Sequence, residues 1–296
     1  MRTIHSRNMK QQKTIIIVAF LIIPLILIAV FSYYPAIKLV QQSFTNWDGS
    51  APTYKYVGFK NYKYVFTDKD VLQTFKNTFA YFVVMLFQTA LALYLAIILN
   101  GKIKGKNLFK SIIFMPFILN GVAVAYMFNY MYDFNQGPIN VILRSIGLGS
   151  LAIKWLPANY FINFSLAFIG MWRYTGFAMV IFLGALQSIS KDMYEAANID
   201  GANFFETVRY ITIPSIKRVI ELNLFLGISG SLQAFFEAYV ITGGGPAGMS
   251  DTFVTKTLNT AFKYSNFGRA SAMGVVLVVI VIFIIGVPKL VLGSKE

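Results

Sequence analysis

The chain has 296 residues, 56% of them apolar and only 13% charged, with no cysteine and a single histidine, His5. A soluble domain carries about 25% charged residues, so too few are present here to cover a water-facing surface, and a membrane protein is expected. The missing cysteines and the lone histidine exclude disulfides, thiolate chemistry and metal centres built on Cys or His clusters. The formal net charge of +14 would suit nucleic acid in a soluble protein. Here Lys and Arg gather between apolar runs, where they set topology and meet anionic lipid, and no nucleic-acid partner is expected.

A helix of roughly 20 apolar residues crosses about 30 Å of hydrocarbon, and runs of that length recur along the chain. The basic tail 1–13 holds Arg2, Arg7, Lys10 and Lys13. The run at about 14–34 that follows is long for a signal-peptide core, and no small-x-small site closes it. It is read as a retained span, with Pro24 as a kink point. Segment 35–76 carries Trp47, Tyr54, Tyr56, Phe59, Tyr62, Tyr64 and Phe66, amphipathic aromatics suited to the membrane boundary. A short helix is expected there, near Phe59–Val65 or Lys69–Phe75.

Span two is predicted at about 77–99. The segment Gly101–Lys110, with Lys102, Lys104, Lys106 and Lys110, follows it. Span three covers about 110–132 and contains Pro116 and Asn120-Gly121, which make either a static kink or a bend that opens backbone to a pathway. Segment 133–160 holds a turn, a short helix near Ile139–Leu148 and an interfacial Trp155. Span four is predicted at about 161–186, span five at about 218–241 and span six at about 270–292. The predicted fold is an all-α polytopic membrane protein with six transmembrane helices. One membrane domain, 14–292, joins cytoplasmic tails 1–13 and 293–296. An even count puts both termini on one side, and the density of Lys and Arg makes that side cytoplasmic.

The loop 187–215 between spans four and five is the most informative stretch. Ser190 suits a helix N-cap, and Asp192 and Glu195 sit early in the helix, where its dipole favours anions. Met193, Ala196 and Ala197 follow at helical spacing, and Gly201 gives a stop or a close approach. A second helix is expected from Asn203 to about Pro214. Such a hairpin either caps the bundle or protrudes to dock a soluble partner.

Glu195-Ala196-Ala197, three residues, Gly201, nine residues, then Ile211-Thr212-Ile213-Pro214 resembles the cytoplasmic "EAA" loop of bacterial ABC-importer permeases, with Ile213 where leucine is usual. After span five, Phe235–Pro246, Ala261-Phe262 and Gly268–Ala272 resemble the carbohydrate branch of that family, which includes the larger maltose-permease subunit. The likeness takes in Tyr34-Pro35 and Phe59–Tyr62 as well, and so runs over nearly the whole chain. Phe236-Glu237, or Glu237-Ala238, stands where members of the family usually have phenylalanine and aspartate.

The resemblance implies a type I importer permease in a bacterial plasma membrane. Met193, Glu195, Ala196, Ala197 and Gly201 would form a coupling helix seated in a cleft of an ATP-hydrolysing subunit. The implied partners are a second, different permease chain, two cytoplasmic ATPase subunits carrying ATP and Mg, an extracytoplasmic sugar-binding protein and a saccharide substrate. The chain has no G-x-x-x-x-G-K-[ST] loop, and neither a catalytic residue nor a cofactor is expected on it.

Aromatic faces and hydrogen-bonding side chains in the bundle interior are the candidates for contact with a sugar. These are Asn120, Tyr126, Asn129 and Tyr130 in span three, Trp172, Arg173 and Tyr174 in span four, and Gln233, Phe236, Glu237 and Tyr239 in span five. Any one of these aromatics is more often a packing residue than a ligand contact. Arg173 and Glu237 are ionisable groups in apolar stretches, so each should face a partner or a polar cavity. Glu237, near the expected outer end of span five, has the alternative of reaching the interface. Gly243, Gly244, Gly245 and Pro246 make either a tight turn or a loop folded into the mouth of a cavity. The expected function is ATP-driven import of a sugar, an oligosaccharide by its aromatic lining, with an importer of another solute as the rival. A membrane enzyme would need clustered nucleophiles or metal ligands, and none is visible.

Overall fold

A computed structural model describes residues 2–101 and 103–292 of the chain. The expected tail 293–296 and Lys102 of the basic segment lie outside the described residues. Among those residues every regular element is a helix, apart from one isolated bridge between Thr45 and Tyr56. In chain order they are α1 (Arg2–Ile28), α2 (Tyr34–Ser43), α3 (Lys60–Thr67), α4 (Lys69–Asn100), α5 (Lys106–Ile118), α6 (Gly121–Met131), α7 (Pro138–Ser145), α8 (Phe161–Gln187), α9 (Lys191–Ile199), α10 (Phe204–Thr207), α11 (Ile213–Ser215), α12 (Lys217–Leu232), α13 (Phe253–Leu258) and α14 (Phe267–Leu292).

The expectation of six spans is corrected. Among the described residues four helical stretches are long and apolar enough to cross a membrane: Gln12–Ser43, Lys69–Asn100, Phe161–Gln187 and Phe267–Ile284. A fifth span arises only if α5 and α6 count as one, and these are bent by 99° at their junction. The predicted third span breaks there because Pro116 withholds a backbone donor near the end of α5. Asn120 then starts a new helix by accepting from the amides of Val122 (2.9 Å) and Ala123 (3.3 Å). The predicted fifth span fails for another reason. Its helix, α12, has 16 residues and at 1.5 Å per residue reaches about 24 Å, short of the roughly 30 Å required. It stops at Leu232 in the small, polar run Ser229-Gly230-Ser231, where the Gln233 amide turns back to the Ser229 carbonyl (3.2 Å) and hydroxyl (2.9 Å). Four or five spans leave the parity open, so the placement of both termini on one side falls with the count.

The chain divides into two compact units, Met1–Val65 with Thr260–Val278, and Phe66–Asn259 with Val279–Glu296. In the first unit, α1 and α2 run on through Ala29–Tyr33 as one long apolar helix, and Pro24 sits inside α1 without ending it. The buried Asn61 amide of α3 donates to the carbonyls of Ser43 (2.9 Å) and Thr45 (2.7 Å). It thus satisfies backbone left open where α2 ends. Phe44 packs on Phe59 and Tyr62 with ring centres 5.4 and 5.3 Å apart, so several of the expected boundary aromatics form a small cluster of their own.

In the second unit α4 and α8 pack along their length. The expected short helix at Lys69–Phe75 is the start of α4, which Asp68 caps. Two buried clusters lie along this pair. Tyr81, Ile162, Leu166 and Ile169 sit toward the helix starts, joined by Val124 and Phe128 of α6. Ala92, Ala96, Leu99, Met179, Phe182 and Leu186 sit toward the helix ends, joined by Ile216. The loop 187–215 therefore leaves from one end of the α4–α8 pair.

Candidate functional site

Three places along the α4–α8 pair carry the residues singled out in the sequence. At the exit of α8, Ser190 caps α9 by accepting from the Asp192 amide (3.2 Å). Gly201 closes α9 with φ +77°, and the Ala202 amide returns to the Ala197 carbonyl (2.9 Å). An L side chain disfavours this left-handed backbone. Asn203 and Glu206 exchange hydrogen bonds of 2.8 and 3.0 Å in a capping box that starts α10. The Tyr194 hydroxyl meets that of Thr212 at 3.4 Å and ties α9 to the returning segment.

Ala197 is buried, while Met193, Glu195 and Ala196 face outward. Ile199 is 86% and Phe205 80% exposed, with Phe204 and Tyr210 uncovered beside them. Two shallow grooves of about 540 and 300 Å³ adjoin here and share Glu206 and Tyr210. Large apolar groups thus crowd the uncovered side of this hairpin.

At the midpoint of α8 stands Arg173. Its Nη1 faces Glu237 Oε1 at 3.8 Å, with the two side chains 9% and 10% exposed. Its Nη2 donates to the Leu119 carbonyl at the α5–α6 break (3.4 Å), and its guanidinium lies 5.1 Å from the centre of the Tyr174 ring. A Cβ on Gly121 would come within 3.2 Å of Nη1 and 3.5 Å of the Phe236 ring. Two broken helices, α5–α6 and the chain just past α12, thus meet α8 around one buried ion pair. Irregular backbone at such depth is tolerated where protein buries it or where it lines a polar cavity. Facing Arg173 at 3.8 Å, Glu237 sits at the level of the α8 midpoint rather than near a span end.

At the start of α4 and α8, buried Asn77 and Asn163 hold the segment after Gly243. Asn77 donates to the carbonyls of Gly248 (3.2 Å) and Asp251 (2.9 Å), and Asn163 donates to that of Met249 (2.9 Å). Gly243 and Gly244 have φ +59° and +85°, and a Cβ on Gly244 would run into the Asp251 carboxylate.

Of the predicted pathway residues, the structure brings together Arg173, Phe236, Glu237 and the Asn120-Gly121 break. Trp172 packs against Phe128, ring centres 5.3 Å apart, beside the buried cluster. Tyr126, Asn129 and Tyr130 lie on the exposed side of α6, and Gln233 and Tyr239 are exposed. Asn120 spends its side-chain oxygen on the α6 cap. Sequence reasoning missed Asn77 and Asn163, although an amide opening an apolar run was there to be read. It also missed Tyr81, whose buried hydroxyl lacks a hydrogen-bond partner among the described residues. Among the described residues no group of three or more His, Cys, Asp or Glu could hold a metal.

A membrane protein with a mid-span polar node between two broken helices, and a protruding hairpin at one end, has the makings of a transport permease. Residues 88–291 match the family described as "Binding-protein-dependent transport system inner membrane component". The probable ABC transporter permease protein YurN of Bacillus subtilis is 30% identical, over 92% of this chain and 94% of that one. The multiple sugar-binding transport system permease protein MsmF of Streptococcus mutans is 30% identical, over 93% and 94%. A chain from the crystal structure of a bacterial alginate ABC transporter, in complex with alginate pentasaccharide-bound periplasmic protein, superposes with a TM-score of 0.80 at 23% identity, covering 96% of this chain and 98% of that one. The chain belongs to the binding-protein-dependent transport family, as a membrane-spanning permease subunit. Membership implies an assembly with a further permease, ATP-hydrolysing subunits and a solute-binding protein.

Proposed function

We propose that this chain is one of two different membrane subunits of an ATP-driven importer that moves a sugar, an oligosaccharide, into the cytoplasm by alternating access. The observation that carries the reading is the α9–α10 hairpin, capped at Ser190, turned at Gly201 and leaving Met193, Glu195 and Ala196 outward. In this reading the hairpin faces the cytoplasm and seats in a cleft of one of two ATPase subunits, which carry ATP and Mg. Glu195 makes polar contacts at the rim. ATPase closure moves α9, which follows α8 by three residues and is tied to the returning segment through Tyr194 and Thr212, so the motion passes along α8 to the Arg173 node. ATP binding opens the pathway outward to a sugar-loaded binding protein, and hydrolysis resets it inward. Each partner shifts the equilibrium only by its differential affinity for the two states. The sugar reading draws on the names of relatives such as the multiple sugar-binding permease, and on the aromatic and amide side chains near the node.

The test is ATP hydrolysis by the purified complex in lipid, with binding protein and a panel of saccharides. One sugar class is expected to stimulate hydrolysis. Glu195→Ala with Gly201→Val is expected to abolish the stimulation. Stimulation that survives the double substitution would remove the coupling role of α9. Stimulation by a non-saccharide solute alone would remove the sugar and leave the coupling role standing.

A further inference from the structure

Resting on the importer reading, we propose that the mid-membrane node is built for an uncharged saccharide, and that Glu237 sets this selectivity by cancelling the charge of Arg173. Between residues 111–132, 161–187 and 222–250, Arg173 and Glu237 are the only charged side chains. They face each other at 3.8 Å, each about nine-tenths buried. The cation is turned inward, toward the Glu237 carboxylate, the Leu119 carbonyl and the Tyr174 ring. Exposed side chains beside the pair are Tyr174, Phe236 and Asn120, two rings and an amide without formal charge.

This chemistry suits hydroxyl-rich, neutral sugar. Aromatic faces take the apolar side of a pyranose, and amides replace the water lost from its hydroxyls. A uronate would surrender its hydration to a site of zero net charge, with no cation free to receive it. The node nevertheless has an unused capacity. The buried Nε–H of Arg173 has no hydrogen-bond partner among the described residues. With the Glu237 charge removed, the guanidinium edge that now faces it, at Nη1, would be left to a carboxylate as a charge-assisted donor. Glu237 is thus a specificity-determining residue acting through Arg173.

The experiment is equilibrium binding to the whole permease–ATPase complex in lipid nanodiscs, without binding protein, so that only the membrane site selects. The probes are short neutral gluco-oligosaccharides and their C6-oxidised uronate counterparts. The wild type is expected to bind a neutral member at least about tenfold more tightly than its uronate, a gap of roughly 1.4 kcal/mol. Glu237→Gln is expected to close or reverse that ratio. Arg173→Gln/Glu237→Gln, neutral at both positions, is expected to keep the neutral preference, and it tests the idea even if the single variant fails to fold. A wild-type preference for uronates, or a ratio unmoved by Glu237→Gln, overturns the proposal. Binding of neither series, with a non-saccharide solute bound instead, removes the saccharide reading itself and the proposal with it, so the two failures are told apart.

Discussion

At the residue scale, the Arg173–Glu237 pair dominates the second unit. Both side chains are about nine-tenths buried, and their contact at 3.8 Å is long for a charge-assisted hydrogen bond. A pair so held contributes little net stability, yet removing one partner strands the other charge at a cost of about 3–5 kcal/mol. Arg173→Met alone should therefore lower the thermal midpoint of the purified protein sharply, while Arg173→Met/Glu237→Met should recover most of the loss. Thermal unfolding followed by tryptophan fluorescence checks this, and equal losses in the two variants would show that the pair does not act as a unit. Gly201 acts differently. Its positive φ is a backbone requirement, and a β-branched residue there strains the turn by roughly 1–2 kcal/mol.

At the scale of elements, the informative features are interruptions. Asn120 substitutes its side chain for the missing preceding turn of α6, and Gly121 leaves room for the Arg173 guanidinium. Loss of a cap of this kind costs about 1 kcal/mol. Asn120→Ala should thus leave the protein folded, a few degrees less stable, and slower in solute uptake by vesicles, because the break it sets holds the Leu119 carbonyl against Arg173. Uptake at the wild-type rate despite the lowered stability would make the break a static kink. The hairpin 187–215 is the opposite case. Its capping residues Ser190, Asn203 and Glu206 and its turn glycine are all local, and the helices begin and end on them.

At the scale of the molecule, the second unit has polarity. The α9–α10 hairpin leaves the end of α8, and the Gly243–Gly248 segment is held by Asn77 and Asn163 at the starts of α4 and α8. Along α4 from Asn77 to Asn100 and along α8 from Asn163 to Gln187, the helices separate these sites by about 35 Å at 1.5 Å per residue, more than the hydrocarbon thickness. The absence of native cysteine makes the consequence easy to test. Single cysteines at exposed Met193 and at Ala247 should react with an impermeant maleimide from opposite faces of sealed vesicles. Labelling of both from one face would refute the placement of the hairpin and the glycine loop on opposite sides.

What the sequence by itself determined is what depends on local composition and short-range contacts. Membrane class follows from scarce charge. The start of α8 at Phe161, its end within a residue of the predicted one, and the caps of α9 and α10 follow from apolar runs bounded by capping side chains. The family was legible in the spacing of Glu195, Gly201 and Pro214. Only the tertiary structure decided how many spans run uninterrupted, that Arg173 and Glu237 meet, and that Trp172 packs while Phe236 stays open. Hydropathy averages over a window and passes smoothly across Leu119-Asn120 and Gln233, whereas a helix stops where one donor, one cap and one distant partner favour another path. The Arg173–Glu237 contact joins positions 64 residues apart in the sequence. No periodicity within either segment encodes it, and burial of both charges is stable only once α5–α6, α8 and the chain past α12 have come together.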